Sequence, residues 1–145
     1  MSFLYRKLEK NDLKTIFEMG KDQFGLPSQF SWDWSLAKLD EYLDNKFGTG
    51  IVCFGDELVG FALAQNKYSE QKPDVAWLTY IMVSSKYLSL GIGKELYNKL
   101  VVALKGIGAN EITIDVYEDN VGFLEFFKKR GFNIKEKWLT LSTKI

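Results

Sequence analysis

One junction limits this chain more than any other feature. An apolar run from Trp77 to Val83 leads through Ser84-Ser85-Lys86-Tyr87-Leu88-Ser89-Leu90 into Gly91-Ile92-Gly93-Lys94. Beyond it Leu96, Leu100, Val101 and Leu104 recur at helical spacing. A strand, a glycine turn and a helix start in that order form a geometry that can hold phosphate. The first N–H groups of a helix have no partner inside it, and the helix dipole is positive there. Glycine lets the backbone come close to the anion. Two familiar phosphate motifs do not fit. A P-loop needs glycine at position 88 and Ser or Thr after the lysine, where the chain has Leu88 and Glu95. A dinucleotide fingerprint needs a third small residue at position 96, where the chain has Leu96.

Around this junction the pattern alternates between strands and helices. Residues 3–8 predict a strand. Asp12 predicts a helix N-cap ahead of Leu13, Ile16, Phe17 and Phe24, and Gly25-Leu26-Pro27-Ser28 would end that helix. Leu36, Leu39 and Leu43 share one face of an expected helix over 34–46. Residues 50–54 and 58–65 predict a hairpin across Gly55-Asp56-Glu57. A polar loop from Asn66 to Lys72 precedes a strand over 75–83 and a helix over 91–105, with Gly106 and Gly108 as stop signals. Ile112 to Val116 alternates as a strand. A helix over 120–130 would end at Gly131, and Phe132 to Thr143 would supply a last strand. The order β-α-α-β-β-β-α-β-α-β implies an α/β fold: a mixed, mostly antiparallel six-stranded sheet with about four helices on its faces.

At 145 residues the chain is read as one domain, 1–145. Lys and Arg total 19, and Asp and Glu also total 19, so no nucleic-acid footprint is expected. No apolar run approaches the roughly 20 residues of a membrane span, and Met1 to Lys7 lacks a signal-peptide core. The single cysteine, Cys53, fits a reducing cytoplasm and reads as a buried apolar filler. The chain has no histidine. That excludes Ser-His and Cys-His nucleophilic machinery and His-ligated metal sites, and no metal is expected. Whatever chemistry the chain performs must proceed without imidazole.

Residues flanking the junction make the reading sharper. Val83, Ser85, Tyr87 and Leu88-Ser89-Leu90-Gly91-Ile92-Gly93 resemble the acyl-CoA loop of the GNAT N-acetyltransferase superfamily, whose core is Gln/Arg-x-x-Gly-x-Gly/Ala. Asn120-Val121-Gly122-Phe123-Leu124-Glu125-Phe126-Phe127 through Arg130-Gly131-Phe132 resembles the family's second signature, an Asn opening a helix that ends in Gly-Phe. Tyr5-Arg6-Lys7-Leu8 with Asn11-Asp12-Leu13, and Asp56 to Ala62, resemble its first strand and helix and its second hairpin. Together these cover essentially the whole chain in the family's order.

The resemblance implies acetyl-CoA as cofactor and an amine as acceptor. Pantetheine would pair with the backbone of Ile81, Met82 and Val83, and the pyrophosphate would sit on Leu88, Ser89, Leu90, Gly91, Ile92, Gly93 and Lys94. Asn120, Phe123 and Phe127 would flank the cofactor. The N–H of a bulged strand residue near Met82 would polarise the thioester carbonyl. Phe30, Trp32 and Trp34 would line the acceptor pocket, where Asp33, Asp40, Glu41 and Asp44 could draw a cationic acceptor.

Four positions depart from the family pattern. Leu88 replaces the usual Gln or Arg, removing a charge-assisted contact worth roughly 1.5–3 kcal/mol; Lys86, Lys94, Lys128 or Lys129 could offset it. Phe127 stands where the family has a Tyr that protonates the departing thiolate. Acid–base help of that kind is worth about 10²–10⁴-fold, with Tyr117 or a water as the substitute. Trp77 and Thr79 share a strand face where the family places Glu, so no base is evident; Thr79 could hold a relay water, with Asp115 and Glu118 in reserve.

A missing base favours an acceptor that deprotonates easily. An α-amine of pKa near 7.7–8.0 is about 10–17% neutral at pH 7, against about 0.04% for a Lys side chain, a difference of about 3.5 kcal/mol. The expected function is therefore transfer of acetyl from acetyl-CoA to a primary amine, a peptide α-amine or small-molecule amine, by direct attack in a ternary complex. The alternative is a catalytically weak CoA-binding sensor. No nucleic-acid or membrane partner is expected, and the protein would be a monomer or homodimer.

Overall fold

The structure, a computed structural model, describes residues 2–24, 34–44, 48–66 and 74–145. It groups into two compact units, Met1–Ile114 and Asp115–Ile145. The first unit holds a five-stranded sheet in the order β1 (Leu4–Lys7), β2 (Gly48–Phe54), β3 (Leu58–Gln65), β4 (Val75–Val83), β5 (Glu111–Thr113). Neighbours pair antiparallel except β4 and β5, which run parallel. Parallel strands need a crossover, and α3 (Ile92–Gly106) supplies it.

The alternation of side chains divides the core into two layers. Phe61, Leu63, Tyr80 and Met82 point to the face covered by α1 (Leu13–Phe24) and α2 (Leu36–Leu39), where they meet Leu8, Ile16, Trp34, Leu39 and Tyr42. The opposite face is covered by Ile92, Leu96, Leu100 and Leu104 of α3, all buried, at about 1.5–3 kcal/mol each. Gly60 allows α3 to come close: a Cβ there would stand 3.1 Å from Leu96 Cδ1 and 2.7 Å from the Met82 carbonyl oxygen.

The helix after β1 begins differently from expectation. A 3₁₀ turn, Lys10–Asp12, precedes α1, and Glu9 is the cap residue. Asp12 works backwards from inside that turn: its carboxylate accepts the Glu9 N–H at 2.8 Å. Its two oxygens also take both terminal nitrogens of Arg6, each at 2.8 Å, with Asp12 buried. This bidentate pair ties β1 to α1. The helix expected over 34–46 is a single turn of α2 continued as 3₁₀ through Leu43, the tighter form common at helix ends.

In the second unit α4 (Val121–Lys129) is capped by Asn120, whose side chain accepts the Phe123 N–H at 3.2 Å. It closes at Gly131 (φ +94°), with Gly131 N–H bonded to the Lys128 carbonyl and Phe132 N–H to the Phe127 carbonyl. Gly108 (φ +96°) ends α3 by the same device.

Two strand expectations need correction. The strand expected from Ile112 to Val116 is shorter, Glu111–Thr113. Phe132 to Thr143 shows no strand among the described residues, so the sheet has five strands rather than six. The apolar residues there change parity, Phe132, Ile134 and Trp138 against Leu139 and Leu141, so no register puts them on one face.

Two stability outcomes follow from this packing. Asp12→Ala removes the acceptor of three hydrogen bonds and leaves Arg6 only the Lys7 carbonyl at 3.0 Å and the Glu9 carboxylate at 3.7 Å as polar partners; a loss of about 2–4 kcal/mol is expected in denaturant titration, and a loss under 0.5 kcal/mol would mean the pair is idle. Gly20→Ala would ordinarily add about 1 kcal/mol to a helix. Here the new Cβ would stand 2.8 Å from Trp34 Cη2 and closer still to Cζ2, in a ring anchored by Nε1 on the Phe17 carbonyl at 3.0 Å. The sign should reverse, to a loss of about 1–3 kcal/mol.

Candidate active site at the end of β4

β4 has a hydrogen-bonding neighbour on both edges for only part of its length. β5 pairs at Val75, Ala76 and Trp77, then ends, while β4 continues to Val83. On the other edge the ladder with β3 slips once, pairing Leu63 with Tyr80 but Ala64 with Leu78. Thr79 is the extra residue, a bulge. The Ser84 N–H donates to the Val59 carbonyl at 2.7 Å, which sets the phase of the ladder beyond the bulge. Alternation then turns Met82 and Tyr80 toward β3 and leaves the N–H and C=O of Ile81 and Val83 facing the edge that β5 has left. Such groups call for a partner.

This geometry corrects the expectation at Met82. Met82 sits in continuous ladder opposite Phe61, not in a bulge, and its backbone is committed to β3. The bulge lies three residues earlier. Of the three residues expected to pair with pantetheine, Ile81 and Val83 present backbone to the open edge and Met82 does not.

β4 runs into a cradle. After a 3₁₀ turn (Ser85–Tyr87) come two left-handed residues, Ser89 (φ +66°) and Gly91 (φ +78°), and then α3. The first intrahelical bond is Glu95 N–H to the Gly91 carbonyl at 3.1 Å, so the N–H groups of Ile92, Gly93 and Lys94 precede it. Left-handed residues among a run of amides form an anion-binding concavity, and a helix dipole reinforces it. A pyrophosphate with its pantetheine arm fits these donors: the cradle would hold the anion and the open edge of β4 would pair with the amides. Leu88 and Leu90 extend exposed side chains and donate nothing. Lys94 is exposed beside the cradle, and Lys86 pairs with Glu57 at 3.6 Å on the surface.

On the α1–α2 face, Thr79 Oγ1 donates to the Trp77 carbonyl at 3.4 Å. Burial of Tyr42 pushes its phenol well above the usual range, so it stays protonated. Tyr42 was not singled out from the sequence, where it reads as one more apolar-helix residue; it packs edge-on to Tyr80 with ring centroids 6.4 Å apart. Trp34 proves to be a buried anchor, edge-on to Tyr80 with ring centroids 4.9 Å apart and bonded to Phe17, rather than a pocket lining. Phe30, Trp32 and Asp33 lie outside the described residues.

The remaining expected site residues belong to the second unit. Asn120 caps α4; Phe127 is buried against Phe126 and Phe132, with ring centroids 5.1 Å away in each case, and Phe123 packs at 6.0 Å. Tyr117 is partly exposed, and Glu118 pairs with Lys137 at 3.2 Å. Cys53 is buried, and burial raises its thiol pKa, which leaves it a poor nucleophile. Among the described residues no cluster of metal-ligating side chains occurs.

Two substitutions test the cradle. A side chain at Gly91 meets open space but must hold φ +78°, at about 1–3 kcal/mol. Gly91→Ala should weaken calorimetric CoA affinity about tenfold or more; unchanged affinity would show that the loop does not hold the anion. Leu88→Arg restores a bidentate donor at an exposed position and should tighten CoA binding by about tenfold; equal affinity would show that position 88 is idle.

Comparison with known proteins agrees with this geometry. Residues 13–132 match the acetyltransferase (GNAT) family. The chain is 27% identical over 128 residues to the [ribosomal protein bS18]-alanine N-acetyltransferase of Haemophilus influenzae, covering 88% of this chain and 79% of that one. The fold matches the PaiA N-acetyltransferase of Thermoplasma acidophilum in complex with coenzyme A, with a TM-score of 0.77, 25% identity, and 94% and 93% of the two chains covered. It also matches AAC(6')-Iy bound to a CoA-linked bisubstrate analogue, with a TM-score of 0.80, 19% identity and both chains covered in full. Among the described residues no helix is long and apolar enough to cross a membrane. A parallel partner that stops early, an anion cradle at a helix start and this match over most of the chain lead to one conclusion: the protein belongs to the GNAT acetyltransferase family and is an acetyl-CoA-dependent N-acetyltransferase.

Proposed function

We propose that residues 1–145 act as one acyltransferase domain that acetylates an unprotonated primary amine of low pKa, a peptide α-amine above all, by direct attack in a ternary complex. The observation that carries this is the composition of β4: along Val75–Val83 it presents Trp77, Thr79 and Tyr80 and no carboxylate, histidine or lysine. A strand without a base asks the acceptor to arrive neutral. The relative from Haemophilus influenzae, named for acetylating an alanine of a ribosomal protein, supports an α-amine acceptor.

Acetyl-CoA supplies an activated acyl group as a thioester. The chain's own contribution is binding and alignment. The N–H groups from Ser89 to Lys94 would hold the pyrophosphate, and Ile81 and Val83 would pair with the pantetheine amides. Fixing donor and acceptor in one geometry can supply much of the rate without proton transfer by a side chain. Phe127 has no proton to give, but a thiol of pKa near 8.5 is a tolerable leaving group unaided. Thr79 has a hydroxyl able to orient a water.

The test is thiol release against peptide N-termini, polyamines, amino sugars and lysine peptides. Peptide α-amines should exceed lysine side chains in kcat/KM by about 300-fold at pH 7, near the gap in neutral fraction. Raising the pH from 7 to 9 should increase kcat/KM until the α-amine is neutral, then level off, whereas for lysine the rise continues. Equal rates for lysine side chains and α-amines at pH 7 would overturn the proposal. Binding of acetyl-CoA with no turnover of any amine would favour a CoA-binding sensor, which Phe127 and the base-free strand also suit.

A further inference from the structure

One residue of the cradle holds a backbone conformation that its side chain disfavours. Among the described residues, Ser89 is the one non-glycine residue with positive φ, at +66°. A side chain in that region persists only where the structure on both sides leaves the backbone no easier alternative. Downstream the restraint is α3 itself: Gly91 opens the helix and Ile92, its first residue, is buried. Upstream lies Leu88, extended and exposed, so the chain must be fixed before it reaches that position.

Phe3 supplies that fixed point. Its ring packs edge-on to Tyr87, the last residue of the 3₁₀ turn, with centroids 5.9 Å apart and ring planes at 89°, a favoured geometry for an aromatic pair. The same ring lies over Gly55 in the β2–β3 turn, where a Cβ would stand 3.4 Å from Phe3 Cε1. Both Phe3 and Tyr87 are half-buried. Backbone bonds hold the rest of the turn: Tyr87 N–H donates to the Ser84 carbonyl at 2.9 Å, and Ser84 N–H to the Val59 carbonyl at 2.7 Å. Leu88 to Gly91 then join two fixed ends, Tyr87 and Ile92. We propose that Phe3, acting through Tyr87, is a positioning residue for CoA, holding the upstream end of the cradle so that Ser89 stays left-handed and the amides from Ser89 to Lys94 keep one concavity. The inference rests on the proposed role of those amides in holding the pyrophosphate. Phe3 acts through another residue and is not a catalytic residue.

Phe3→Ala should weaken calorimetric CoA affinity about tenfold and raise the KM for acetyl-CoA as much, with kcat at saturation and the KM for the amine within about twofold of the parent. Phe3→Leu keeps apolar bulk over the hairpin but loses the ring pair; it should cost about threefold and serves if Phe3→Ala does not fold. Tyr87→Ala should match Phe3→Ala, Tyr87→Phe should keep parental affinity because the ring remains, and the two alanines together should bind no worse than the poorer single. Ser89→Gly gives a rescue: glycine takes φ +66° at no steric cost, so adding it to Phe3→Ala should recover most of the lost affinity. Parental affinity in the Phe3 variants, losses that multiply in the double alanine, or no recovery with Ser89→Gly would each overturn the inference. Amide hydrogen exchange separates it from the cradle itself. Without CoA, the Tyr87 amide should exchange several-fold faster in Phe3→Ala than in the parent, and equal exchange would overturn the role of Phe3. In the parent, added CoA should protect the amides of Ile92, Gly93 and Lys94; no protection there would sink the cradle instead, and with it any part for Phe3 in binding CoA.

Discussion

Nearly everything at the active site follows from β4 having to satisfy two unlike neighbours. Toward β3 it pairs from Trp77 to Val83 around the bulge; toward β5 it pairs for three residues and then stands alone. A strand in the middle of a sheet with one edge unpaired would ordinarily be a liability, because free N–H and C=O groups invite association. Here the free stretch opens directly onto the glycine loop and the start of α3. A ligand with an amide-bearing arm and a phosphate end meets both requirements, and CoA has that shape. In the proposed site the sheet would recognise its donor mainly through backbone, which would explain how so ordinary a β4 sequence can serve.

The surrounding layers keep this arrangement rigid. Arg6 and Asp12 join the first strand to α1, and the indole of Trp34 joins the residue ahead of α2 to the Phe17 carbonyl. Tyr80 stands where these elements converge, against Phe24, Trp34 and Tyr42 at 4.9, 4.9 and 6.4 Å between ring centroids. This aromatic layer backs the bulge from below. It also explains why Trp34 is unavailable to an acceptor: its polar edge and both faces are already engaged. The opposite layer, α3 on β2 and β3, carries the cradle at its own N-terminus, so the same helix that covers the sheet aims its dipole at the loop proposed to hold the donor.

Catalytic economy is the other theme. Without histidine, without a carboxylate on β4 and with Phe127 in place of a tyrosine, the chain has few ways to move protons. Under the proposed function its chemistry would rely on alignment and on an acceptor that arrives neutral, and its selectivity would come from the amine's own pKa as much as from contacts. Hydroxyls remain, on Thr79, Tyr42 and Tyr117.

Local chemistry in the sequence was enough for much of this. Periodicity located the helices and the central strands, and Gly108 and Gly131 marked helix ends because only glycine takes φ near +95° at no cost. The Gly91-Ile92-Gly93 junction announced the cradle, since unpaired helix-start amides depend on neighbours in the chain alone. The placing of Asp12 as a cap was right in substance and wrong in detail: it caps Glu9 from within the turn. Pairing between distant segments was a different matter. Where β5 stops, which residue of β4 bulges, that Met82 faces β3, and that Phe132 to Thr143 joins no ladder all depend on partners far away in sequence. Tyr42 belongs to the same class: only tertiary packing sets its ring edge-on to Tyr80, because a contact between residues 38 apart is written in no local pattern.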